Sequence, residues 1–158
     1  LLTAPPSASG AKALYDSTAA LDQASQHLVM AINSRGPEES RRLILASRMR
    51  MLSQRIAMHY HHRASGLMTP NAPQMELTYA RSEFAANLSR STQNNAFPAE
   101  TREAVARLAG LWPAYQDAAG KTGEPVAMLK NAPAVMEMSE QVLGATDKVV
   151  GTLLAPAR

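Results

Sequence analysis

Ser47, Arg50 and Gln54 stand at i, i+3 and i+7, a spacing that on a helix aligns them along one strip of two turns. The chemistry such a strip offers is anion recognition. A guanidinium grips a planar oxyanion with two parallel N–H donors, and a neighbouring hydroxyl and amide can complete the shell. The rest of the strip is apolar, with Leu43, Met51 and Met58 on the same arc. Across the helix, Leu45, Met49, Leu52, Ile56, Ala57 and Tyr60 form an ordinary core stripe. A surface helix of a monomeric bundle needs one apolar face, not two. The second stripe therefore predicts a second contact, and the same helix of another subunit around a two-fold axis is the economical partner. Leu43, Ser47, Met51 and Met58 are then the dimer interface. Two Arg50 side chains would meet there, which is unfavourable unless an anion lies between them. The competing reading is an Arg that is merely solvated or salt-bridged, as on most long helices.

Other chemistries find less support. His59, His61 and His62 form a local cluster, with His59 and His62 one turn apart. No carboxylate joins them in an HExxH-like pattern, and Arg63 beside them repels a cation, so they are expected on the surface without a metal. His27 stands alone on an alanine-rich stretch. The chain has no cysteine, which removes disulfides, thiolate metal sites and a cysteine nucleophile. No G-x-S-x-G elbow occurs, and the acidic residues are scattered rather than opposed. No catalytic residue set and no cofactor is expected. Arg41, Arg42, Arg48 and Arg55 lack interleaved aromatics, which argues against nucleic acid.

The elements that position the strip follow from composition. Of 158 residues, 46% are hydrophobic, yet aromatic residues make up only 4%. Alanine dominates the apolar fraction, and a sheet core needs the β-branched and aromatic side chains that are scarce here. Alanine, leucine, methionine, glutamine and arginine favour helix. An all-α fold follows, within the size of one domain. The net charge of +3 is too mild to demand a polyanionic partner. No stretch approaches the roughly 20 apolar residues of a membrane span.

Periodicity and breakers place the helices. Residues 1–9 (LLTAPPSAS) predict an extended tail whose start reads as a processed end or a boundary, and residues 10–155 a single helical-bundle domain. The first helix spans 10–34, with Leu14, Leu21, Leu28 and Ile32 recurring at helical spacing. The second runs from about Pro37 to Leu67, stopped near Gly66, and the third from Gln74 to Thr92. The fourth covers Ala99 to Lys121 with a kink or break at Pro113. The last is capped around Asn131, with Pro133 in its first turn, and continues to Leu154. Short links between long amphipathic helices predict an antiparallel four-helix bundle with an additional N-terminal helix.

The run Leu45-Ala46-Ser47-Arg48-Met49-Arg50-Met51-Leu52-Ser53-Gln54-Arg55-Ile56-Ala57, followed by Tyr60, resembles the hallmark of the PilJ-type domain, LAGRQRMLSQRMAKAY. That domain is the N-terminal sensor of type IV pili methyl-accepting chemotaxis transducers. Leu108-Ala109-Gly110-Leu111-Trp112-Pro113-Ala114-Tyr115 is similar to the family's Leu-Trp segment, and the final helix to its closing helix. The resemblance covers about residues 40–155. It extends to the sensor domains of nitrate/nitrite sensor histidine kinases, where an Arg of this motif from each subunit holds one anion on the dimer axis. Arg50 is the matching position. The resemblance implies a periplasmic, homodimeric sensory domain that binds nitrate or nitrite and signals by helix displacement to an output domain or partner protein. Two features depart from the pattern. Ser47 replaces the family's usual Gly, and a helix precedes the motif helix. The alternative expectation is a ligand-free dimerisation or protein-interaction module of a chemosensory or two-component system.

Overall fold

The computed structural model describes residues 7–33, 37–67 and 71–155. They form five helices: α1 (Ala8–Asn33), α2 (Glu38–Ala64), α3 (Asn71–Thr92), α4 (Ala99–Gly120) and α5 (Pro125–Leu154). No strand occurs among the described residues. The all-α reading from composition holds.

Boundaries differ where a capping group outweighs a breaker. Ser7 accepts a hydrogen bond from the Gly10 N–H on its hydroxyl at 3.1 Å, an N-cap that starts α1 at Ala8. The expected extended tail thus ends before Ala8 and Ser9, and residues 1–6 of it lie outside the described residues. Helix α3 begins three residues earlier than expected because Pro73 is tolerated in a first turn. The larger correction concerns α5, which begins at Pro125 rather than near Asn131. Pro125 occupies the first helical position, where its fixed φ is preorganised and its missing N–H is not needed. Pro133 consequently falls in the helix interior, on the exposed side. Asn131 is no cap: its amide donates to the Tyr60 hydroxyl at 2.9 Å and the Ala118 carbonyl at 2.8 Å. Helix α4 shows no break at Pro113. The ring stands on the exposed side while Trp112 and Tyr115 hold the core. The stop after α2 is as expected, with Gly66 at φ 65°, a left-handed conformation that glycine adopts without steric penalty.

Helix α2 packs between α3 and α5, and α4 packs on α5 and more lightly on α3. One core joins these four: Met49, Leu52, Ile56 and Tyr60 from α2, Leu77 and Phe84 from α3, Leu108 and Tyr115 from α4, Val135 and Val142 from α5. Phe84 stacks on Trp112 with ring centroids 4.4 Å apart, an aromatic pair that adds to area burial. The Tyr60 hydroxyl donates to the Lys121 carbonyl at 3.1 Å, and the Tyr115 hydroxyl to the Ser53 carbonyl at 2.5 Å. These bonds fix the register of α2 against its neighbours with buried polar groups satisfied.

Helix α1 differs from the rest. It packs on α2 alone, and none of its side chains that the structure describes is fully buried. Leu14, Leu21 and Leu28 are 59–72% exposed. Their helical spacing formed a helix without giving it a core to enter.

Candidate functional site

Helix α2 presents the motif as its periodicity requires. Its core stripe is buried, with Met49, Leu52, Ile56 and Tyr60 fully so. Leu45 at the edge is half-buried. The second stripe faces outward. Ser47 and Arg50 are exposed, while Leu43, Met51, Gln54 and Met58 are half-buried.

Arg50 does not stand free. Its Nε donates to Oδ1 of Asp147 on α5, and both side chains remain about half exposed. The guanidinium is therefore already engaged with a planar oxyanion, one supplied by the chain itself. Asp147 was missed in the sequence because it lies 97 residues away and nothing local marks it. One turn before Arg50 is Ser47, and one turn after is Gln54, whose amide approaches the Ser139 carbonyl at 3.4 Å. The three residues share one strip, with Arg50 and Gln54 both tied to α5.

Arg48 and Arg55, together on another face of α2, meet α3. Arg48 makes a two-pronged contact with Glu83, one arm at 2.8 Å, and Arg55 pairs with Glu76. Both arginines are far less exposed than Arg50, so screening reduces their pairs less.

The part of the second stripe carrying Met51, Gln54 and Met58 lies across from α1. Between α1 and α2 runs a groove of about 740 Å³, lined by Tyr15, Thr18 and Leu21 on one side and by Met51, Met58 and His59 on the other. Helix α1 thus accompanies within one chain a stretch of the face expected to meet a second subunit. Leu43 and Ser47 do not line the groove.

The histidines correct a second expectation. His59 is not on the surface; it is 3% exposed. It follows Leu52 and Ile56 at i+7 and i+3, a spacing that signals the core edge and could have been read. Tyr15 of α1 meets His59 and His62 edge-on, with centroids at 5.6 and 5.3 Å. Burial, with the nearby positive charge of Arg55 and then His62, lowers the His59 pKa to about 4. Burial also lowers those of His61 and His62. All three favour the neutral form. Among the described residues no group of three or more His, Asp or Glu is placed to hold a metal ion, and no helix is long and apolar enough to cross a membrane. Neither family models, nor curated proteins, nor solved structures match this chain.

Proposed function

We propose that this chain is an extracytoplasmic sensory domain that binds nitrate or nitrite at Arg50 and works as a homodimer. Helices α2 to α5 then constitute an antiparallel four-helix bundle, with α1 as the additional N-terminal helix. Cross-helix pairs support that arrangement. Along α2, Arg50, Gln54 and Tyr60 meet Asp147, Ser139 and Asn131 in descending order. Arg48 and Arg55 meet Glu83 and Glu76 in the same reversed sense, as do Arg81 and Phe84 with Gln116 and Trp112, and Asn131 and Lys148 with Ala118 and Glu100.

The observation that carries the binding reading is the exposed Arg50 guanidinium, which among the described residues is held by the exposed Asp147 carboxylate. An exposed ion pair of this kind is worth about 0–1 kcal/mol, so a second oxyanion can displace Asp147 at small cost. Ser47 supplies a hydroxyl or backbone contact and Gln54 a flanking amide. Exchange at Arg50 breaks a link between α2 and α5. A ligand shifts an equilibrium only through differential contacts in the two states, and the loss of the Asp147 contact supplies such a difference. Displacement of α5 along α2 would carry the signal to an output domain or partner protein.

The second reading, a ligand-free dimerisation module, also has an observation in its favour. Asp147 already neutralises Arg50, so no anion is required for charge balance. Calorimetric titration with nitrate and nitrite, paired with sedimentation, separates the two. Saturable heat with at most one anion per two chains supports the sensor. A dimer without heat supports the module.

A further inference from the structure

Helix α1 lies outside the common core, and its seat on α2 is floored by two histidines. Tyr15 meets His59 and His62 edge-on, with ring centroids 5.6 and 5.3 Å away. His59 is buried there and His62 is half-buried. Met51 and Met58 of the second stripe line the same contact.

That contact has a place for a neutral His59 alone. The ring's Nε2 accepts from the Arg55 Nε at 3.3 Å, so it cannot take a proton without setting N–H against N–H. Nδ1 then bears the ring's one proton, and it is buried with no acceptor in the protein. A charged His59 would hold two donors and no acceptor, beside the Arg55 guanidinium. The surrounding charges give no relief. On α1, Asp16 is exposed and held by Lys12 at 2.6 Å. On α3, Glu76 pairs with Arg55. On α2, Arg63 is turned to Gln74 and the Gly123 carbonyl, while His61, edge-on to Tyr60, adds positive charge beside His62 when protonated. The lowered pKa values of His59 and His62 agree with this setting.

Proton binding is thereby coupled to the docking of α1. The helix packs on α2 alone, and none of its described side chains is fully buried, so it can leave while the four-helix core persists. Lifting Tyr15 away gives both imidazoles water, where they accept a proton near their ordinary value of about 6.5. A proton that binds the undocked form more tightly favours undocking. We propose that α1 is an acid-released cover: protonation of His59 and His62 detaches it from α2 and bares Met51 and Met58. A last step rests on the homodimer reading, in which the bared stripe is then open to a second subunit.

The chain has no cysteine, so Ala20→Cys on α1 and Ala86→Cys on α3, both exposed, give two sites for nitroxide labels. Pulsed electron paramagnetic resonance on the full chain, diluted with unlabelled protein, reads the distance between them. One narrow distance is expected at about pH 7.5, above the ordinary histidine range. From about pH 6.5 to about pH 4.5 the ratio of docked to undocked chains should fall by about tenfold or more, because each coupled group contributes up to about tenfold per pH unit. Trp112 is stacked on Phe84 in the core, so its emission should not change over that range. His59→Phe combined with His62→Phe keeps both rings without a titrating nitrogen and should hold the narrow distance in acid. If the double variant does not fold, His62→Phe alone, at a half-buried site, should roughly halve the slope of the response. A narrow distance that persists at about pH 4.5 overturns the proposal. So does a release that ignores the histidine substitutions, or one that comes only together with a change in Trp112 emission. Sedimentation at both pH values separates this proposal from the reading it extends. Release without self-association removes the homodimer step and leaves the cover standing. A dimer in which α1 stays docked leaves the homodimer reading standing and overturns the cover.

Discussion

Arg50 and His59 share a helix yet sit in opposite electrostatic settings, and each yields a prediction at the scale of one side chain. Arg50 is exposed and paired with Asp147. Arg50→Ala should change stability by no more than about 1 kcal/mol, as for other exposed pairs. It should weaken nitrate binding by about a hundredfold or more, because two charge-assisted hydrogen bonds of about 1.5–3 kcal/mol each are lost. Asp147→Asn removes the competing carboxylate and should tighten binding by up to about fivefold. Calorimetry on the two variants checks both, and tighter binding by Arg50→Ala would refute the site. Arg48 and Arg55 make poor controls, since their ion pairs are partly buried.

His59 gives a pH dependence. Its pKa is lowered to about 4 in the fold, first by burial and then by Arg55 and His62, against about 6.5 in the unfolded chain. Between these values the unfolded state binds more protons, so stability falls as pH falls through that window. The contribution is fully present above the unfolded value. His61 and His62 are lowered too and add in the same direction. Each tenfold change in proton affinity is worth about 1.4 kcal/mol, so the loss is on the order of a few kcal/mol. Urea unfolding at about pH 7.5 and about pH 4.5 measures it. His59→Gln should flatten the slope.

At the scale of elements, the prolines inside α4 and α5 matter most. Pro113 and Pro133 both lie within helices, where each removes a backbone hydrogen bond. Proline costs up to about 3 kcal/mol relative to alanine in a helix interior. Pro113 is exposed, so Pro113→Ala leaves the core intact and should raise stability by about 1–3 kcal/mol. For a chain of this size that is a gain of several degrees in Tm, readable by circular dichroism. A lower Tm would overturn this expectation. The hydroxyl of Tyr60 acts at the same scale. Its bonds to Lys121 and Asn131 tie the C-terminal part of α2 to the α4–α5 connection, which holds the loop after α4 against the motif helix.

For the whole molecule, the division between α1 and the other four helices is decisive. Because none of the described α1 side chains is fully buried, a chain lacking residues 1–36 should keep its helical spectrum and melt within a few degrees of the full chain. Loss of cooperative melting in that truncation would show that α1 stabilises the core. The same truncation bares Met51 and Met58, so sedimentation should report tighter self-association if α2 is the dimer face. Met58→Glu on the truncated chain should then restore the monomer, because burying an unpaired carboxylate is strongly unfavourable.

The all-α class, the five helices and the core stripe of α2 were legible in the residues alone. Each rests on local information: residue propensity, a period near 3.6, and the φ preferences of Gly66 and the prolines. Local pattern also put Ser47, Arg50 and Gln54 on one strip. It misjudged the start of α5, because a proline reads alike as a breaker and as a first helical residue. That Asp147 reaches Arg50, that Tyr15 meets His59 edge-on, and that Leu14, Leu21 and Leu28 stay in water follows from how the helices pack. A helical period states which residues share a face, and the face acquires a partner only when distant segments are brought together by the burial of a common core.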